Sequence, residues 1–279
     1  MERLPRFHKF HRIGAQLRHG QIKDLMKLAY AATHRIVRNQ QSQFPFMLLF
    51  EVTNDCMLDC VMCLRSQLKE EVGYMSFETF RRIVDGCSRQ HSLGLFIFSG
   101  MGEPLLHPQW SEMCRYAKFK GIPEVRLITN GHLLTEKKTR DILDNSRLDL
   151  ISFSLDAFSQ ETYQAIKRSL KFESVQQNII NFFKMRKEKK KVRPFVSLHI
   201  LKMKETISEI SGFIEKWSPY LAAGDNILIK DVHTFAGQIE GSKVRYIRDK
   251  DFPAGSFGNF SISPGMEMSC PVVWMPVKP

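Results

Sequence analysis

The run Cys56-Met57-Leu58-Asp59-Cys60-Val61-Met62-Cys63 places three thiols within eight residues. Each thiolate can ligate one iron of a cubane cluster, leaving a fourth iron without a protein ligand and open to a substrate. A structural zinc site wants four closed ligands, usually from two C-x-x-C-like knuckles, and no fourth Cys or His is local. A ferredoxin-like electron-transfer cluster also wants four cysteines, and three idle thiols in an exposed loop would be an oxidation liability. The spacing therefore points to a cluster with one open position. Of the remaining cysteines, Cys87 falls in the helical pattern Phe77, Phe80, Ile83, Val84, and Cys114 shares a helix face with Trp110 and Ala117. Both read as buried core thiols. Cys270 stands apart near the end.

The elements that must position this loop are legible as six apolar runs of strand length: Met47 to Val52, Leu95 to Ser99, Val125 to Thr129, Leu150 to Leu155, Phe195 to Leu201 and Ile227 to Val232. Helical patterns lie between them, near Phe77 to Arg89, Pro108 to Lys120, Glu136 to Asn145, Glu161 to Lys191 with an interruption around Ser169, and Glu205 to Trp217. This alternation is the signature of βα units around a parallel sheet. A closed eight-unit barrel needs about 250 residues, and fewer than about 200 lie between Met47 and Val232. The expectation is an α/β fold, a partial and open (β/α)6 barrel over 46–233. Residues 1–45 read as a basic helical lead-in, with Leu25, Leu28, Ala29, Ala32 and Ile36 at helical spacing. Residues 234–279, punctuated by Gly237, Gly241, Pro253, Gly255, Gly258, Pro264 and Gly265, have no sustained period and read as an irregular tail.

In a parallel barrel the loops after the strands build the active site, and here they carry polar residues. Ser99-Gly100-Met101-Gly102-Glu103-Pro104 follows the second strand. Gly102 lets backbone approach a ligand closely, and Glu103 can accept hydrogen bonds from an ammonium. Thr129-Asn130-Gly131 ends the third strand, although Asn130-Gly131 alone also reads as a plain turn. Ser152-Phe153-Ser154-Leu155-Asp156 ends the fourth. His199 on the fifth strand and Lys230, Asp231 and His233 on the sixth interrupt runs that should be apolar, and so are candidates for the cavity wall. A lone strand histidine more often has a structural role.

C-x3-C-x2-C after a first strand resembles the radical S-adenosylmethionine (SAM) superfamily, whose fold is a partial (β/α)6 barrel. The resemblance implies an enzyme with a [4Fe-4S] cluster on Cys56, Cys60 and Cys63. The GMGEP segment looks like the family's GGEP, with Met101 in place of its first glycine, so that Gly102 and Glu103 would meet the amino group of SAM. Ser154 and Asp156 resemble the S-x-D element near SAM, and Asn130 falls at the matching strand end. Lys167 or Arg168 could pair with the carboxylate of SAM, simple surface charge being the competing reading. Met62 stands where many members carry an aromatic residue and preserves bulk beside the adenine. By the same resemblance, SAM chelates the open iron, and one electron breaks its S–C5′ bond. The 5′-deoxyadenosyl radical then takes a hydrogen atom from a substrate carbon. A reductant such as flavodoxin or ferredoxin and a small-molecule or peptide substrate are the implied partners. Ser269-Cys270-Pro271-Val272-Val273-Trp274 resembles the opening of a SPASM extension. That implies a possible auxiliary Fe-S cluster if the C-terminus is incomplete here, and tilts the expected chemistry towards peptide maturation or oxidation of a sugar-like alcohol.

Composition narrows the alternatives. The chain has 279 residues, 43% hydrophobic and 25% charged, as for a folded domain with a substantial core. No apolar run approaches the roughly 18 residues that span a bilayer, and Met1 to Arg18 is too basic and broken for a signal peptide, so no membrane partner and a cytoplasmic location are expected. The formal charge of +12 is concentrated in 1–39 and 184–193. No interleaved aromatic platform accompanies it, which argues against nucleic acid as partner. Two competing classes remain: a non-catalytic Fe-S or zinc protein, and an RNA-modifying relative drawn to phosphate by charge.

Overall fold

The computed structural model describes residues 47–68, 70–88 and 94–232, together with the backbone of a short strand at Val273–Met275. The chain divides between Gln43 and Phe44. The helical lead-in expected over 1–45, His233 and Cys270 lie outside the described residues.

Strands β1 (Met47–Phe50), β2 (Leu95–Phe98), β3 (Glu124–Thr129), β4 (Leu150–Ser154), β5 (Phe195–Lys202) and β6 (Asn226–Asp231) form one sheet in sequential order, every pairing parallel. Between them run helices α1 (Phe77–Ser88), α2 (Trp110–Phe119), α3 (Glu136–Asp144), α4 (Gln160–Lys167), α5 (Phe172–Glu188) and α6 (Ile210–Trp217). The sheet gains a seventh strand that the sequence pattern does not announce. The tail read as irregular contributes β7 (Val273–Met275), which pairs parallel to β1 with Leu48 opposite Val273. Three residues are too few for a period of two to stand out.

Strand alternation divides the sheet into two faces. Val125, Leu127 and Thr129 of β3 are buried on the helix-covered side, while Arg126 and Ile128 on the inner side stay partly accessible. Aromatic packing of Phe50 against Phe80, Phe96 and Phe98 at centroid separations of 4.7–6.3 Å fastens α1 to β1 and β2. Helix starts are fixed by side chains. Thr135 accepts from the Lys138 amide and Ser159 from the Thr162 amide, each satisfying an amide that the first turn leaves unpaired. The expected interruption near Ser169 is real: α4 stops at Arg168, whose φ of 55° lies in the left-handed region, and α5 begins four residues later. Behind the sheet, Arg186 of α5 donates to both carboxylate oxygens of Asp225, which also accepts from the Val196 amide, so the starts of β5 and β6 share one buried anchor.

Candidate active site

The cysteine loop leaves β1 and is held from three sides. Thr53 Oγ1 donates to the Gly73 carbonyl (2.8 Å) and accepts from the Asp55 amide (3.1 Å). The Val61 amide donates to the Ile166 carbonyl at the end of α4 (2.9 Å), and Arg168 pairs with Asp59 at 2.5 Å. Arg65 Nη2 closes the loop on itself through the Leu58 carbonyl (2.8 Å). Cys56, Cys60 and Cys63 are all half-buried free thiols. Burial pushes the Cys56 thiol up and the Cys60 thiol up to about 11, with Lys167 opposing the rise at Cys60. Ion binding there must therefore release protons.

Glu103 is the hub of the neighbouring loops. It is almost fully buried and accepts from Thr129 Oγ1 (2.8 Å), the Asn130 amide (2.8 Å) and the Leu105 amide (3.1 Å). Burial raises its pKa, and these three donors and Lys167 pull it back. The close approach that Gly102 permits is to the chain itself: a Cβ there would lie 2.0 Å from the Thr53 carbonyl oxygen. The GMGEP loop thus packs directly on the backbone that launches the cysteine loop, and the Glu103 amide donates to the Asp55 carbonyl (2.7 Å). Two sulfur contacts complete the junction. Met101 Sδ lies 3.9 Å from Cys63 Sγ, and Asn130 Nδ2 reaches Met57 Sδ at 3.2 Å and Cys56 Sγ at 3.8 Å.

At the end of β4, Ser154 Oγ donates to Asp156 Oδ2 (2.9 Å), and Lys167 Nζ lies 2.6 Å from the same oxygen. Asp156 takes a φ of 59°, the left-handed region that Asp tolerates better than most side chains. Its other carboxylate oxygen, Oδ1, is buried with no hydrogen-bond partner among the described residues. The structure separates the two basic candidates. Lys167 is buried against Asp156 with its charge felt at Cys60, whereas Arg168 is exposed and fastens the loop through Asp59.

His199 is buried on the inner face, where its Nδ1 lies 3.1 Å from Lys230 Nζ. Asp231, expected on the same wall, projects the other way and pairs with Lys202 at 2.7 Å. Adjacent strand residues point to opposite faces, so Lys230 and Asp231 cannot both line the cavity. Sequence reasoning passes over Glu51, which is buried at the end of β1 and accepts from the Met101 amide at 2.5 Å. A carboxylate closing the apolar run MLLF is the signal that could have found it. His132 is also missed: its Nε2 sits 2.9 Å from the Tyr163 hydroxyl, beside the site.

The donor set suits a [4Fe-4S] cluster. Three unpaired thiols share one anchored loop at the strand ends, next to a buried carboxylate oxygen that lacks a partner. Among the described residues no three Cys, His, Asp or Glu side chains gather around a single ion, and a cubane asks instead for thiolates spread over three irons.

Residues 50–216, more than half of the chain, match the Radical SAM superfamily. The tungsten-containing aldehyde ferredoxin oxidoreductase cofactor-modifying protein of Pyrococcus furiosus is 27% identical over 163 residues, 58% of this chain and 45% of that protein. The antilisterial bacteriocin subtilosin biosynthesis protein AlbA of Bacillus subtilis is 28% identical over 152 residues, 53% of this chain and 33% of that protein. The crystal structure of Streptococcus suis SuiB bound to precursor peptide SuiA superimposes with a TM-score of 0.59 at 14% identity, covering 81% of this chain and 48% of that one. The chain thus spans less than half the length of each. With an anchored three-cysteine loop, a partial parallel barrel and this match, the chain belongs to the radical SAM superfamily of enzymes.

Proposed function

We propose that this chain is the core of an enzyme that holds a [4Fe-4S] cluster on Cys56, Cys60 and Cys63, binds SAM beside it and abstracts a hydrogen atom from a peptide. The observation that carries this reading is the convergence of two strand-end loops and the last turn of α4 on the thiols: Met101 on Cys63, Asn130 on Cys56, and the charge of Lys167 on Cys60. A cluster held there supplies the electron for reductive cleavage of SAM, the hard chemistry being the cofactor's own.

The chain's residues bind, orient and exclude water. Glu103 fixes the Thr129-Asn130 turn, so that the Asn130 side chain faces Cys56 and Met57. Asp156 Oδ1 offers an unfilled acceptor to a donor group of SAM, and a buried oxygen in that state favours a ligand that fills it. Lys167, its charge matched by Asp156, still has ammonium donors to offer a polar group of SAM, while Met62 and Met101, both buried, keep water from the thiols. Kinship with a bacteriocin biosynthesis protein supports a peptide as substrate.

The test is 5′-deoxyadenosine formation by anaerobically reconstituted protein given SAM and dithionite, beside Cys60→Ala. Product that disappears in the variant is the expected result. Absence of product from wild-type protein that holds iron and sulfide at cluster stoichiometry would defeat the proposal.

A further inference from the structure

On the inner face from β3 to β6 and at its rim, the cations and carboxylates among the described residues are matched except at one position. Arg126 pairs with Glu124 at 2.7 Å and Lys167 with Asp156 at 2.6 Å. Among the described residues Lys230 has no carboxylate partner; its contact is with His199 Nδ1, at 3.1 Å. The direction of that hydrogen bond follows from the chain behind it. Ser197 Oγ donates to Asn226 Oδ1 at 2.6 Å, so it accepts from His199 Nε2, 3.1 Å away. Nδ1 is then the bare ring nitrogen, and the Lys230 ammonium donates to it. Burial, with Lys230 and Lys167 nearby, holds the His199 pKa well below its ordinary value, in keeping with a neutral ring.

A neutral imidazole fixes the direction of Lys230 without compensating its charge. An ammonium has three donors, and one is spent on His199. The other two are left for whatever occupies the inner face. Phosphate sites typically present helix N-termini and backbone amides, whereas this wall is built of strands and, among the described residues, offers a single unmatched positive charge. A monovalent anion fits that balance.

We propose that Lys230, oriented by His199, is a carboxylate-recognition point for the substrate. The carboxylate belongs to an acidic side chain or to the C-terminus of the peptide. The inference rests on reading the inner face as the substrate chamber of the proposed enzyme.

The experiment uses the full chain, anaerobically reconstituted and supplied with SAM. The rate of Lys230 acetylation by an amine-acetylating reagent is read by peptide mass spectrometry, with exposed Lys204 as internal reference. The probes are N-acetylglutamate α-amide for a side-chain carboxylate, N-acetylalanine for a C-terminal one, N-acetylglutamine amide as the uncharged control, and inorganic phosphate. At saturation one or both carboxylates should slow Lys230 by at least about fivefold and leave Lys204 unchanged, and the stronger of the two identifies the source. His199→Leu should abolish protection, and His199→Gln, which keeps an acceptor, should retain part of it. Protection by neither carboxylate, or equal protection by the amide or by phosphate, overturns the inference. Failure of wild-type protein to form 5′-deoxyadenosine is a separate outcome that defeats the functional reading, whatever the protection pattern.

Discussion

Lys167 Nζ and Asp156 Oδ2 meet at 2.6 Å with both side chains almost wholly buried, joining the last turn of α4 to the end of β4 beside the cysteine loop. Breaking one half of such a pair strands a charge, at about 3–5 kcal/mol. Lys167→Met should therefore unfold at markedly lower urea, and the double variant Lys167→Met with Asp156→Asn should recover part of the loss. A single variant within about 1 kcal/mol of wild type would show that the pair contributes little.

Two glycines should respond in opposite directions to the same methyl group. Gly102→Ala places a Cβ 2.0 Å from the Thr53 carbonyl, against backbone that has no rotamer to move, whereas Gly86, inside α1, has open space around it. Gly102→Ala should destabilise by about 1–3 kcal/mol and lower the iron retained after reconstitution. Gly86→Ala should stabilise by about 0.5–1 kcal/mol. Urea unfolding and iron analysis of both proteins check the pair, and unchanged iron in Gly102→Ala would count against the junction described.

The cysteines should sort into two groups by iron content. Cys87 on α1 and Cys114 on α2 are buried in the hydrophobic core. Replacing either with Ala should leave iron and sulfide stoichiometry intact, while Ala at Cys56, Cys60 or Cys63 should abolish it. Full iron in any of the last three would remove that residue from the ligand set.

Stability should fall in acid through His199. Its folded pKa is held well below the ordinary value by burial, reinforced by Lys230 and Lys167, with Asp156 beyond them. Below about pH 6.5 the unfolded chain takes up a proton that the folded chain refuses, at up to about 1.4 kcal/mol per pH unit. The contribution is complete above pH 6.5 and is lost on descending. The stability advantage of wild type over His199→Gln should thus shrink by about 1 kcal/mol between pH 7.5 and 5.5 in urea unfolding. His132, which burial pushes down to about 4, acts in the same direction in both proteins and cancels in the comparison. A constant difference across that range would mean that His199 protonates in place.

The βα rhythm was legible because its signals are local. A period of two marks runs such as Phe195 to Leu201 as strand, and a period near four marks Phe172–Glu188 as helix. The break between α4 and α5 could be placed within one residue of where the backbone turns left-handed. The three-residue strand Val273–Met275 could not, because its pairing to β1 is a long-range event with too few residues to leave a pattern.

For the site, the sequence by itself determined which polar groups and thiols are present and the strand ends that carry them: three thiols, GMGEP, TNG and SLD, each at or shortly after the end of an apolar run. Only the tertiary structure decided which partners those groups take. Lys167 turns inward and Arg168 outward because the helix ends between them. Gly102 answers to the Thr53 carbonyl, and Glu51 to the Met101 amide, across strands that are neighbours only in the sheet. Lys230 meets His199 because the β5–β6 register sets it beside Leu201, on the same face as His199 and diagonal to it. Side-chain period and propensity are properties of a few consecutive residues, whereas register and burial are fixed when distant segments pack, and those decide which polar groups are satisfied and which remain for a ligand.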